Sequence, residues 1–154
     1  MGYVDQNLLP GETITYRTSL HRIIFATPVF FALVGILFVV LGSIDKALSG
    51  FAVLGIFFLV VAAIVGLARF IRLKTSEFAI TDKRVLVKVG FIRRHTLELL
   101  LAKVETIGVD QGVFGRLFNY GTIIVTGTGG TKEPFKGIAA PLEFRRQVQS
   151  RVAP

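Results

Sequence analysis

The sequence contains no cysteine, which removes disulfide bonds and thiolate metal sites from consideration and leaves the redox compartment open. Histidine is almost as scarce. His21 and His95 are the two present, too few and too differently placed to form a metal site, and no motif anchors a Ser-His-acid arrangement around either. Gly127-Thr128-Gly129-Gly130-Thr131-Lys132 lacks the glycine-lysine adjacency and the following helix of a phosphate-binding loop. The sequence therefore predicts no catalytic residue, no metal and no cofactor, and a protein that is not an enzyme.

Charge is missing altogether from two long runs, residues 23–41 and 51–68, joined by a short polar link. Each is close to the roughly 20 helical residues needed to cross a bilayer core of about 30 Å. A soluble core helix of that length keeps a polar face. Here apolar residues cover every face, which predicts two transmembrane helices in a tight hairpin. No acid, histidine or amide interrupts either run, so an ion or proton path through one copy is not expected. The first run begins too late and extends too far for a cleaved signal, and a second span follows it where a cleavage site belongs. Gly35, Gly55, Ala62, Ala63 and Gly66 are small enough to let the helices approach closely.

What is plentiful is positive charge: 18 basic residues against 10 acidic ones, a net charge of +8. Arg17 and Arg22 precede the first run and Arg69, Arg72 and Lys74 follow the second, while the link carries Lys46 beside Asp45. The positive-inside bias puts both ends in the cytoplasm, making a multi-pass protein of the inner (plasma) membrane. Arg69, Arg72 and Lys74 read first as orientation signals and snorkelling anchors.

Outside the runs the pattern changes to a period of two. Residues 12–20 alternate like a strand, and an isolated strand must find a sheet later in the chain. Further strands are expected over 77–81, 84–89, 91–99, 104–111, 122–126 and 132–138, with Asp82-Lys83 as a tight turn. Residues 112–119 read as an irregular or single-turn helical stretch. Pro141 opens a terminal helix with an apolar side at Phe144, Val148 and Val152. Many short strands separated by turn residues argue for an antiparallel sheet curled into a small barrel, and residues 1–10 for a mobile or loosely docked arm.

Phe78-Ala79-Ile80-Thr81-Asp82-Lys83-Arg84-Val85, Gly90-Phe91-Ile92, Ile107-Gly108-Val109-Asp110-Gln111 and Gly115-Arg116-Leu117-Phe118-Asn119-Tyr120-Gly121-Thr122 come in that order after the two spans. Together with the upstream Pro10-Gly11-Glu12 strand, this layout resembles bacterial membrane proteins with a pleckstrin-homology-like (PH) domain. The resemblance implies an α+β protein: a seven-stranded, partly open antiparallel β-barrel capped by a C-terminal helix, with the strand before the first span joining it. It implies no reaction. The expected division is an arm and strand over 1–20, a hairpin over 21–73 with spans at about 22–43 and 51–72, and a cytoplasmic PH-like domain over 74–154.

Two groups of residues are candidate sites. Lys83, Arg84, Lys88, Arg93 and Arg94 lie on or near consecutive strands, and one basic face would attract anionic phospholipid headgroups at about 1 kcal/mol per charge. The competing reading is a solvated strand face. Phe114, Leu117 and Phe118 are core, a foot dipping into lipid, or a surface for another copy. Without aromatic residues interleaved among the charges, nucleic acid is not an expected partner. The expected partners are the bilayer and either a second copy, giving a homo-oligomer, or another membrane protein. The function expected first is protein interaction or self-assembly at the cytoplasmic membrane face, with headgroup binding as the alternative.

Overall fold

The computed structural model describes residues 2–45, 48–91 and 94–152. The chain divides into two compact units. One is apolar and runs Arg22–Ile71; the other combines everything up to His21 with everything from Arg72 onward.

The apolar unit is built from helices. A 3-10 turn, Arg22–Phe25, leads into α2 (Ala26–Ile44), and the second helix, α3, is Ser49–Thr75. Pro28 sits in the first turn of α2, where an amide has no intrahelical acceptor to lose. At 23 residues with its leading turn and 27 residues respectively, both helices are long and apolar enough to cross a membrane. Their large side chains face outward: Phe30, Leu33, Val53, Phe57 and Ile64 are each more than 60% exposed. Small residues lie between the helices instead. A Cβ on Gly55 would stand 2.6 Å from the Val39 amide nitrogen, and one on Gly35 would stand 2.9 Å from the Gly55 carbonyl oxygen. Beside this seam Phe31, Phe58, Phe38 and Phe51 stack in succession, with centroids 5.8 to 6.1 Å apart. Ala63 faces outward, and a Cβ at Gly66 would meet only Pro28, at 3.7 Å. Gly42, packed against Ala52, belongs to the seam in their place.

In the mixed unit the period-two segments form seven strands among the described residues. β1 (Ile14–Thr18), β2 (Glu77–Thr81), β3 (Arg84–Val89) and β4 (His95–Leu100) make one antiparallel sheet in that order. β5 (Val104–Asp110), β6 (Tyr120–Gly127) and β7 (Lys132–Ala139) make a second. β1 finds its partner across the whole helical insertion, with Tyr16 opposite Ile80 and Thr18 opposite Phe78.

The expected barrel is therefore corrected to two antiparallel sheets. A 3-10 turn at Leu101–Lys103, anchored by the buried Leu101, breaks the ladder between β4 and β5. At one corner the sheets are joined by the bridge Leu20–Ile138, with the His21 amide donating to the Gly137 carbonyl at 2.7 Å. Phe78, Ile80, Val85 and Val87 from the first sheet meet Ile107, Ile123, Val125, Phe135 and Ile138 from the second. Alternation along each strand puts these side chains on the facing surfaces. The terminal helix α5 (Pro141–Val152) inserts Phe144 and Val148 into the same core, while Val152 is 40% exposed.

The expected loose arm is also corrected, because α1 (Tyr3–Gln6) docks on the outer face of the first sheet. Val4 is buried against Ala79 and Leu86, closing a second small core. The Glu77 carboxylate accepts the Tyr3 amide at 2.9 Å and the Val4 amide at 3.1 Å, satisfying donors that a helix start leaves open. Asp5 pairs with Arg17 of β1.

Candidate functional site

The basic candidates lie around β3, whose alternation sends Val85 and Val87 into the core and Arg84, Leu86 and Lys88 to the outer face. Arg84 is not open to a headgroup. Its guanidinium meets Glu12 through Nε to Oε1 at 2.9 Å and Nη2 to Oε2 at 3.0 Å, and Glu98 through Nη1 to Oε2 at 2.6 Å. Nη2 also donates to the Asn7 carbonyl. The Thr81 hydroxyl donates to Glu12 Oε1 at 2.7 Å and accepts the Arg84 amide at 2.9 Å. The Leu9 amide donates to Glu12 Oε2 at 2.7 Å. The Glu12 side chain is completely buried, and the Arg84 bonds, against the cost of burial, hold its carboxyl at about 2. A bidentate arginine-carboxylate pair whose remaining lone pairs are bonded is the form of buried ion pair that offsets its desolvation.

This latch joins the N-terminal segment, the ends of β2 and β3 beside the Asp82-Lys83 turn, and β4. Nothing in the sequence pairs Glu12 with Arg84, 72 residues away. The sequence shows only an acid after Pro10-Gly11 and an arginine opening a strand, between Lys83 and Lys88. The other basic candidates stand in different settings. Lys83 is exposed in its turn, and Arg94 is exposed before β4. The Lys88 Nζ sits 4.9 Å above the centre of the Tyr3 ring. Arg93 lies outside the described residues. Of the flanking cations, Arg69 is half-buried, and Arg72 and Lys74 are exposed.

The second candidate is α4 (Val113–Leu117), between β5 and β6. Its inner side is polar and tightly pinned. The Gln111 side-chain amide donates to the carbonyls of Gly115 at 3.2 Å and Tyr120 at 3.0 Å. A Cβ on Gly115 would come within 2.6 Å of the Tyr120 oxygen, so only glycine lets the turn sit that close. Asn119 leaves the helix in the left-handed region at φ 55, a conformation its short amide tolerates. The apolar side chains point away from this brace: Val113, Phe114, Leu117 and Phe118 are 83, 69, 73 and 51% exposed. The core reading of Phe114, Leu117 and Phe118 is thereby excluded within this unit. Among the described residues, no group of three or more His, Asp or Glu is placed to hold a metal ion.

Seven strands in two antiparallel sheets, closed by a C-terminal helix and interrupted after the first strand by two long apolar helices, define a PH-type α+β protein. The bacterial PH domain family model matches residues 30–152, and the chain belongs to that family. No curated protein and no solved structure matches it.

Proposed function

We propose that the protein is a non-enzymatic, membrane-anchored PH module that mediates protein interaction or self-assembly at the cytoplasmic face of the bacterial inner membrane. The observation that carries this reading is α4 with the Phe118 that follows it, a braced single turn presenting Val113, Phe114, Leu117 and Phe118 to solvent. Contiguous exposed apolar surface on a rigid support marks an interface, because hiding it in a contact removes it from water without a folding rearrangement. Anchoring is supported by the outward apolar side chains of α2 and α3, which suit lipid and not water. Arg17, Arg22, Arg69, Arg72 and Lys74, which flank the uncharged runs 23–41 and 51–68, support a cytoplasmic location for both ends.

Crosslinking of the full chain in native membranes tests the docking reading. A wild-type chain that crosslinks to a copy or a partner, and loses the product on Phe114→Asp, supports it; monomers alone overturn it. Sidedness has its own test, because the chain has no cysteine and an introduced thiol is unique. Ser43→Cys should react with an impermeant reagent from outside, and Lys103→Cys only after permeabilisation.

The headgroup alternative retains Lys83, Lys88, Arg93 and Arg94, favoured by the exposure of Lys83 and Arg94. Salt-insensitive association with anionic vesicles would remove it.

A further inference from the structure

We propose that one open end of the two-sheet sandwich binds a single acidic phospholipid, its acyl chain entering between the sheets and its anionic head held by Arg72 and Lys136. A cavity of about 240 Å³ opens there, room for about eight groups of water or methylene size at about 30 Å³ each. Its deep wall is Leu20, Phe78 and Phe135, all core residues at 1 to 5% exposure. The Phe78 and Phe135 rings meet edge to face at 6.0 Å, one from each sheet. That wall offers nothing to a polar ligand.

The rim carries the cations Arg72 and Lys136, with His95 beside them. His95 Nε2 lies 3.3 Å from a Glu133 carboxylate oxygen, so this imidazole already faces an acid. Among the described residues, Arg72 and Lys136 have no ion-pair partner. Two unpaired cations over an apolar hole complement a molecule with an anionic head and a hydrocarbon tail. Free phosphate would leave the deep wall unused, and an apolar peptide would leave the cations unanswered.

The source of such a ligand follows from chain connectivity, and here the inference rests on the membrane anchoring proposed above. Arg72 directly follows the last residue of the apolar unit, and Leu20 lies two positions before its first. Arg72 and Leu20 are therefore within a few residues of the membrane-inserting segment along the chain. This site shares no residue with the headgroup candidates Lys83, Lys88 and Arg94.

The test uses the full chain in phosphatidylcholine nanodiscs doped with phosphatidylglycerol carrying a photoactivatable acyl chain, with adducts mapped by mass spectrometry. Adducts on the peptides holding Phe78 or Phe135, in addition to those on residues 22–71, are expected. Arg72→Ala and Lys136→Ala should each lower the pocket adducts about fivefold, the effect of about 1 kcal/mol per charge. Lys83→Ala should leave them unchanged. Adducts confined to 22–71 would overturn the pocket while leaving the anchoring intact, and an absence of adducts on 22–71 would overturn both. Equal losses from Lys83→Ala, or equal labelling by a phosphatidylcholine probe, would refute recognition by this rim.

Discussion

Replacing Glu12 by Gln keeps the shape of the side chain and removes the charge that faces Arg84. The Arg84 side chain is 11% exposed and that of Glu12 is not exposed at all, so the arginine loses its only fully buried counter-charge and keeps the partly exposed Glu98 and the Asn7 carbonyl. Removing one partner of a buried pair costs about 3 to 5 kcal/mol, and the surviving Glu98 contact places this case at about 3. The carboxyl's descent from 4.5 to about 2 gives a second figure, since each pH unit is worth about 1.4 kcal/mol and the difference comes to about 3.5. Solvent reaching the Arg84 side chain, which is 11% exposed, screens part of the charge left behind and lowers the expectation to about 2 to 3 kcal/mol.

The sign with pH follows from the same shift. A carboxyl depressed in the folded state contributes its stability above its ordinary value of 4.5 and loses it as pH falls toward about 2. Hydrogen exchange of the amides over 77–89, in the full chain in detergent, reads both effects. Glu12→Gln should weaken protection about 30- to 100-fold at neutral pH and flatten its decline between pH 4.5 and 2. Glu12→Gln with Arg84→Met should recover part of the loss, because no uncompensated charge remains buried. A single variant within about fivefold of wild type, or one that keeps the wild-type pH slope, would refute the latch.

Other perturbations separate the roles of the remaining parts. Phe114→Asp and Leu117→Asp change side chains that are 69 and 73% exposed, so stability measured by denaturant unfolding should shift by no more than about 0.5 kcal/mol while crosslinked product disappears. Gly55→Leu should drive α2 and α3 apart, because its Cβ would stand 2.6 Å from Val39 nitrogen, whereas Gly66→Ala meets only Pro28 at 3.7 Å and should be tolerated. Thermal aggregation of the detergent-purified variants compares the two. Val4→Ala should cost about 2 kcal/mol by emptying the outer core, and loss of exchange protection confined to α1 and the outer-face strands would register it.

Much of the architecture is legible in the sequence because local chemistry sets it. Period-two alternation and turn residues specify the strands from Glu77 to Thr81 and Arg84 to Val89 with their ends, and Pro141 opens the last helix where expected. The uncharged runs forecast two long apolar helices by length and composition alone. Residues 12–20 also advertised a strand in need of a partner, since backbone donors and acceptors must be satisfied somewhere.

Tertiary structure decided everything that depends on which distant segments meet. Whether seven strands close into a barrel or stack as two sheets turns on a corner at Leu101–Lys103 that carries no distinctive local pattern. Lys83 and Arg84 are adjacent basic residues, one in the turn and one opening β3, yet Arg84 is locked against Glu12 and Glu98 and Lys83 is exposed. Only the arm folding back over the first sheet, with Val4 on Leu86, distinguishes them. Phe114 and Leu117 have the composition of core residues and lie outside it, because Gln111 and Gly115 pin the inner side of their turn. Sequence fixes what each residue prefers, but burial and charge pairing belong to pairs of residues far apart in the chain, and only the folded chain brings those pairs together.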